Sequence, residues 1–228
     1  MMKNILTAIT LLLFCVGLTA TAQSAQDAPK AETAPTQESL DQKVILAQLP
    51  SYPLDSCVIS GKKFSEETPA TDVVVDGRLI RVCCGRCETK VKADSSAAIA
   101  KIDEAVIAQQ KPLWPLKSCP ISGEAMGSMG DPIDFVLGTR YVKLCCKGCL
   151  KGVKKDPAAF LLKLDKLVMP ELVKTYPIKT CVVSGEELGS MGESLDMMYG
   201  HRLVRLCCKG CLRSYKKDPA ATVAKIYK

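Results

Sequence analysis

Large aromatic side chains are scarce in this sequence. Its 228 residues include four Phe, six Tyr and one Trp, so aromatics make up 5% of the chain. Histidine is nearly absent, with His201 the only one. No serine–histidine or paired-carboxylate constellation recurs along the chain, so no enzyme activity is expected. Asp72, Asp134 and Asp196 recur at equivalent places, each at the start of a predicted hairpin, where a turn or cap role is expected. Basic residues are not interleaved with aromatics for base stacking, so the formal charge of +7 does not point to nucleic acid. One apolar run, Ile5 to Leu18, is broken by Thr7, Thr10 and Gly17 and is too short for a membrane span. No transmembrane segment is expected in the mature chain.

What the chain does have is cysteine. Of its 13 cysteines, twelve form three sets of four. The sets are Cys57, Cys83, Cys84 and Cys87; Cys119, Cys145, Cys146 and Cys149; and Cys181, Cys207, Cys208 and Cys211. Each cysteine lies 62 residues after its predecessor, as 57, 119 and 181 show. Loops drift in length unless something holds them. A thiol cluster repeated in one register therefore indicates three copies of one small site, and thiolates are soft donors suited to zinc, copper(I) or iron–sulfur chemistry.

The N-terminus reads as a secretory signal, with Lys3 before the apolar run and Ala20-Thr21-Ala22 as a small-x-small site ahead of Gln23. A cut between Ala22 and Gln23 predicts a periplasmic or secreted protein. Leu12-Leu13-Phe14-Cys15 offers a lipoprotein alternative, against which stands the bulky Phe14. Residues 23–49 follow as a flexible tether, poor in large apolar residues over 23–42 and unable to offset ordering entropy there. The rest divides into repeats at 50–111, 112–173 and 174–228. Units of about 60 residues are marginal for an independent core and need a metal or disulfide staple.

Each repeat has the same internal order. An aromatic-proline pair opens it: Tyr52-Pro53, Trp114-Pro115, Tyr176-Pro177. The first cysteine follows in Cys-x-x-Ser-Gly, whose glycine permits a tight turn. A β-hairpin comes next, clearest in Val73 to Val82 around Asp76-Gly77, with counterparts around Gly138 and Gly200. The Cys-Cys-x-x-Cys cluster then starts a helix, placing the second and third sulfurs in its first turn, where unpaired N–H groups favour thiolate. A second helix begins at Asp156-Pro157 and Asp218-Pro219, with aspartate as N-cap, and in repeat 2 shows the stripe Phe160, Leu161, Leu164 and Val168. Repeat 1 has Asp94-Ser95 there and no proline.

The expected fold class is therefore α+β: three tandem, small, metal-stabilised modules of knuckle turn, hairpin and helix, each with a second short helix. Basic residues crowd after the last cysteine, as Lys147, Lys151, Lys154 and Lys155, then Lys209, Arg213, Lys216 and Lys217. They read either as a surface for an anionic partner or as a solvated helix face whose charge favours thiolate. His201 sits at a hairpin turn where the other repeats have Gly77 and Thr139, and is expected to be exposed and no shared ligand.

In Cys-x-x-Ser-Gly, the hairpin, Cys-x3-Cys and Lys-Asp-Pro, the repeats resemble the TRASH and YHS domains and, more distantly, the MYM-type zinc fingers. The resemblance covers the chain beyond the tether. It implies treble-clef-like modules of heavy-metal trafficking, resistance or sensing, with ligands at Cys57, Cys83 and Cys87, at Cys119, Cys145 and Cys149, and at Cys181, Cys207 and Cys211. The additional Cys84, Cys146 and Cys208 either complete four-thiolate sites or are buried or free thiols. Ser60, Ser122 and Ser184 take the place of a second knuckle cysteine. The expected cargo is one zinc or copper(I) ion per repeat, about three per chain. The expected partners are metal ions and a metal transporter or other envelope protein. Met126, Met129, Met191, Met197 and Met198 read either as copper thioethers or as gap-filling core. Three alternatives stay open: a structural-zinc scaffold, a disulfide-stapled scaffold, and a thiol–disulfide exchange protein built on Cys-x-x-Cys.

Overall fold

The computed structural model describes residues 36–227. The expected signal segment, Cys15 and the first part of the expected tether lie outside them. The first described element is a helix, α1 (Gln37–Gln48), which corrects the tether reading for its second half. Thr36 caps it, its hydroxyl accepting from the Ser39 amide. The helix has one buried residue, Gln48. That residue fastens its C-terminal end to the first hairpin, through Gly77 O and Leu79 N–H.

Three hairpins follow: β1 (Thr71–Val75) with β2 (Arg78–Val82), β3 (Ile133–Leu137) with β4 (Arg140–Leu144), and β5 (Leu195–Tyr199) with β6 (Arg202–Leu206). Each is a separate two-stranded antiparallel sheet closed by a two-residue loop. The loops differ in type. Asp76 and Gly77 both have positive φ, 51° and 72°, as a type I′ turn requires. Gly138 and Gly200, each at φ 60°, lead the other two loops, and the residues after them have no positive φ. Each hairpin runs into a short helix bearing the cluster's last cysteine: α2 (Gly85–Ala93), α4 (Lys147–Lys155) and α6 (Lys209–Tyr215).

The second helices are α3 (Ser96–Gln110), α5 (Pro157–Lys174) and α7 (Pro219–Ile226). Asp156 and Asp218 cap α5 and α7 through the amides of Ala159 and Ala221, both at 2.9 Å. Asp94 does similar work without the proline, accepting from the Ser96 amide at 2.9 Å. The expected stripe on α5 is buried at Phe160, Leu164 and Val168, with Leu161 packed beside them.

Each long helix serves two repeats. Arg78 pairs with Asp103 of α3, and Arg140 with Asp165 of α5 at 2.8 Å, so the middle of each helix is held to its own hairpin. The far end of α3 reaches the next hairpin, where Gln110 bonds Thr139 and Tyr141. The cores are correspondingly continuous: Val136 and Tyr141 of repeat 2 belong to the apolar cluster of Ile80, Val82, Val91, Ile102 and Val106. Burying each such aliphatic side chain contributes about 1.5–3 kcal/mol. The equivalent Asp72 and Asp196 are not turn caps, as expected from sequence, but cross-strand partners of Arg81 and Arg205, at 2.7 and 2.8 Å. Asp134 instead accepts from Tyr141 Oη at 2.6 Å and pairs with Lys111.

The third hairpin turn presses on the start of the first repeat. A Cβ built on Gly200 would lie 2.1 Å from Ser51 Oγ and 3.0 Å from the Pro50 backbone. Gly200→Ala should therefore cost roughly 2–4 kcal/mol, adding a clash to the strain of its positive φ. Gly185→Ala, also at positive φ but meeting nothing within 4 Å, should cost only about 1 kcal/mol. Urea midpoints of the two variants check this; equal losses would mean that the Ser51 contact is not made.

Candidate metal centres

The first cysteine of each set sits in a turn that aims amides at its sulfur. Cys57 N–H donates to Lys62 O and Gly61 N–H to Cys57 O, both at 2.8 Å, and the Ser60 amide approaches Cys57 Sγ at 3.5 Å. Gly61, Gly123 and Gly185 close these turns at φ 71°, 79° and 79°. The other sulfurs come from the junction of strand and helix. There the structure shifts the expected placement by one residue. Cys84, Cys146 and Cys208, in extended conformation, are the N-cap residues, so the cysteine before each of them lies on the strand side of the cap.

Three triads result. The sulfurs of Cys57, Cys83 and Cys87, of Cys119, Cys145 and Cys149, and of Cys181, Cys207 and Cys211 each lie within 4.8 Å of one another. Within them Cys83 and Cys87 are 4.0 Å apart, Cys145 and Cys149 3.6 Å, and Cys207 and Cys211 3.7 Å. A zinc–sulfur bond of about 2.3 Å places tetrahedral thiolates ~3.8 Å apart and trigonal ones ~4.0 Å apart. The donor set and its spacing thus fit a thiophilic metal ion, without separating zinc from copper(I). All twelve described cysteines are free thiols.

Cys84, Cys146 and Cys208 stand outside the mutually close groups. Cys146 and Cys208 still lie 3.9 Å from Cys149 and Cys211, at the edge of their triads. Cys84 is exposed and lies 3.8 Å from Cys83. The serines of Cys-x-x-Ser-Gly belong to the site in a way the sequence reading did not foresee. Ser60, Ser122 and Ser184 Oγ lie 3.3, 3.4 and 3.3 Å from Cys83, Cys145 and Cys207 Sγ. Their recurrence three residues after the first cysteine was the available signal.

The triads are electrostatically graded. Burial works against a thiolate at Cys57, Cys119 and Cys181. Hydrogen bonds from the facing serine's hydroxyl and from nearby amides nevertheless bring each down to about 6. Burial and the neighbouring sulfurs push Cys87, Cys149 and Cys211 up to about 12. A metal ion entering at neutral pH therefore meets one ready thiolate and must displace the proton of the last cysteine. The N-cap sulfurs are lowered, chiefly by the amide of the cysteine three residues on. Cys84 combines that lowering with exposure. In metal-free, reduced protein it should be alkylated first by iodoacetamide, ahead of the half-buried Cys146 and Cys208 and far ahead of the buried triad members. Peptide mass mapping over a time course reads the order, and early labelling of Cys119 or Cys181 would contradict it.

The remaining candidates fall elsewhere. Lys147, Lys151, Lys154, Lys155, Lys209, Arg213, Lys216 and Lys217 are all exposed. Met126, Met197 and Met198 pack against the apolar clusters, whereas Met129 and Met191 are exposed. His201 is not exposed as expected. It is half-buried, its Nδ1 3.0 Å from Ser51 Oγ, and burial aided by the Arg202 and Arg140 charges pushes it down to about 4. The reason is the reach of the first repeat across 150 residues, which no local pattern encodes.

Comparison with protein families, with curated proteins and with solved structures finds no match to this chain. What the geometry supports is a cysteine-rich protein with three repeated thiol clusters, each able to hold a metal ion.

Proposed function

We propose that this protein binds heavy-metal ions, zinc or copper(I), one per triad, and acts in their trafficking, resistance or sensing rather than in catalysis. One observation carries the reading: three thiol triads of closely similar geometry, each with one sulfur held ready to ionise. The turn, hairpin and helix around each triad support assignment of the modules to the treble-clef-like TRASH and YHS type. The N-terminal signal pattern supports a periplasmic or secreted location, with a transporter or other envelope protein as the exchange partner. The test is stoichiometry. Reduced protein titrated with zinc or copper(I) should take up about three equivalents, read by elemental analysis after desalting. Uptake of one equivalent or none, with all thiols reduced, would refute the proposal.

A second reading is favoured by burial. Cys57, Cys119 and Cys181 are 1–2% exposed and belong to the apolar cores themselves, as structural metal ligands do. On this reading the metal holds a protein-binding scaffold together. Chelation separates the two, since a scaffold unfolds when stripped and a delivery protein does not.

A further inference from the structure

Two repeats close a contact that the third leaves open. In the first, Gln48 Nε2 donates to Gly77 O at 2.7 Å, and Gln48 Oε1 accepts from Leu79 N–H at 2.9 Å. In the second, Gln110 Nε2 donates to Thr139 O and Gln110 Oε1 accepts from Tyr141 N–H, both at 2.9 Å. A carboxamide thus bridges the same carbonyl and amide of each hairpin. The residue 62 positions after Gln110 is Leu172. The matching groups of the third hairpin, His201 O and Leu203 N–H, accordingly meet no carboxamide.

The consequence is an orphan donor. Leu203 pairs with Met198 at a ladder position where backbone groups point away from the partner strand. Its carbonyl accepts from Tyr227 Oη at 2.8 Å. Its N–H has no hydrogen-bond partner among the described residues, although Leu203 is 0% exposed. Buried amides are rarely left so. A cleft of about 530 Å³ opens here, walled by Trp114, Leu172, His201, Arg202, Leu203 and Tyr227. The same wall holds a second unpartnered donor, the buried Trp114 Nε1. Arg202 has also lost the carboxylate that Arg78 and Arg140 find in Asp103 and Asp165, and stacks on Tyr227 instead, 5.0 Å from the ring centre.

We propose that this cleft binds a primary carboxamide on a short apolar stem. Leu203 is 0% exposed, so the ligand enters as Leu172, which stands where Gln48 and Gln110 stand in the other repeats, swings aside. The ligand oxygen then accepts from Leu203 N–H, its nitrogen donates to His201 O, and Trp114 and the displaced Leu172 flank the stem. The chemistry is copied from the protein's own Gln48 and Gln110. A carboxylate presents a second acceptor to the His201 carbonyl, and an ester lacks the N–H, so both are rejected. The site is independent of the thiol triads.

The test uses the full, reduced, isotope-labelled chain and follows the Leu203 amide resonance. Propionamide should shift it saturably, with an affinity of about millimolar order. Propionate and methyl acetate should bind at least about tenfold more weakly. N-acetylglutamine N-methylamide, whose one primary carboxamide is the side chain, distinguishes the source: tighter binding than propionamide assigns the site to a peptide side chain, and equal or weaker binding to a small free amide. In Leu172→Gln the protein supplies the carboxamide itself. The Leu203 amide should then shift without ligand, the unfolding midpoint should rise, and the response to propionamide should vanish. No saturable shift at Leu203 in the unmodified protein overturns the proposal. So do propionate binding as well as propionamide and a Leu172→Gln protein that responds like the unmodified one. Should Leu172→Gln fail to fold, the ligand series on the unmodified protein decides alone.

Discussion

Cys149→Ser should lower bound metal from about three equivalents to about two, emptying the second centre and leaving the others loaded. The sulfur lies 3.6 Å from Cys145 in the buried triad and 3.9 Å from Cys146 outside it, so it belongs to any three-ligand or four-ligand arrangement. A serine hydroxyl is a hard donor with a far higher pKa than a thiol, and it does not replace thiolate on a soft ion. Cys146→Ser should behave differently. Cys146 stands outside the mutually close group, so its loss should weaken the second centre or change its metal preference while leaving three equivalents at saturating metal. Elemental analysis of the two variants, with a competing chelator to rank affinity, reads both effects. Equal damage from the two substitutions would mean that metal draws Cys146 in and completes a four-thiolate site.

The other large effect is expected far from any sulfur. Gln110 is 4% exposed and satisfies both Thr139 O and Tyr141 N–H through one side chain. Gln110→Ala leaves a buried acceptor and a buried donor unpaired, each costing about 1–3 kcal/mol, so the protein should lose roughly 2–4 kcal/mol. In a domain of this size that lowers the melting temperature by roughly 5–15 °C. Gln109→Ala removes an exposed side chain bonded to Pro53 O at 2.8 Å and should cost under about 1 kcal/mol. Calorimetry on the pair tests the claim that long helices lock onto the following hairpin through a carboxamide. Indistinguishable melts would remove that claim, and with it the template for the cleft on the third hairpin.

Periodicity in the sequence carried most of the local structure. Asp-Gly and Gly-x turns marked the hairpins, because only residues tolerant of positive φ close a two-residue loop with the right twist. Asp156-Pro157 and Asp218-Pro219 marked helix starts, because a carboxylate satisfies free amides and proline has none to lose. The α-helix missed among the described residues, α1, was read as tether because the apolar-poor composition of 23–42 was extended to residue 49, across Val44-Ile45-Leu46. Yet Gln48-Leu49-Pro50 repeats 62 residues later as Gln110-Lys111-Pro112, followed each time by an aromatic-proline pair. That echo marked the end of a helix belonging to the repeat pattern.

The twelve cysteines were legible because ligand sets keep their register when the loops around them need not. Which nine of them form the close triads followed only from the resemblance to the TRASH and YHS domains, which implied the same nine as ligands, and not from the residues themselves. In Cys83-Cys84, Cys145-Cys146 and Cys207-Cys208 two chemically identical residues are adjacent, and the choice depends on which one the strand carries inward and which one the helix cap turns outward. The burial of His201 against Ser51 and the vacant amide contact beside Leu172 were likewise out of reach. Both arise where one repeat packs on another. Sequence by itself determined the repeat, its turns, its caps and its stock of soft donors, because these depend on conformational preferences and chemistry within a few residues. Tertiary structure alone decided how closely those sulfurs converge and which polar groups stay unpaired, because sulfur spacing and hydrogen-bond satisfaction are properties of neighbours that the chain brings together from far apart.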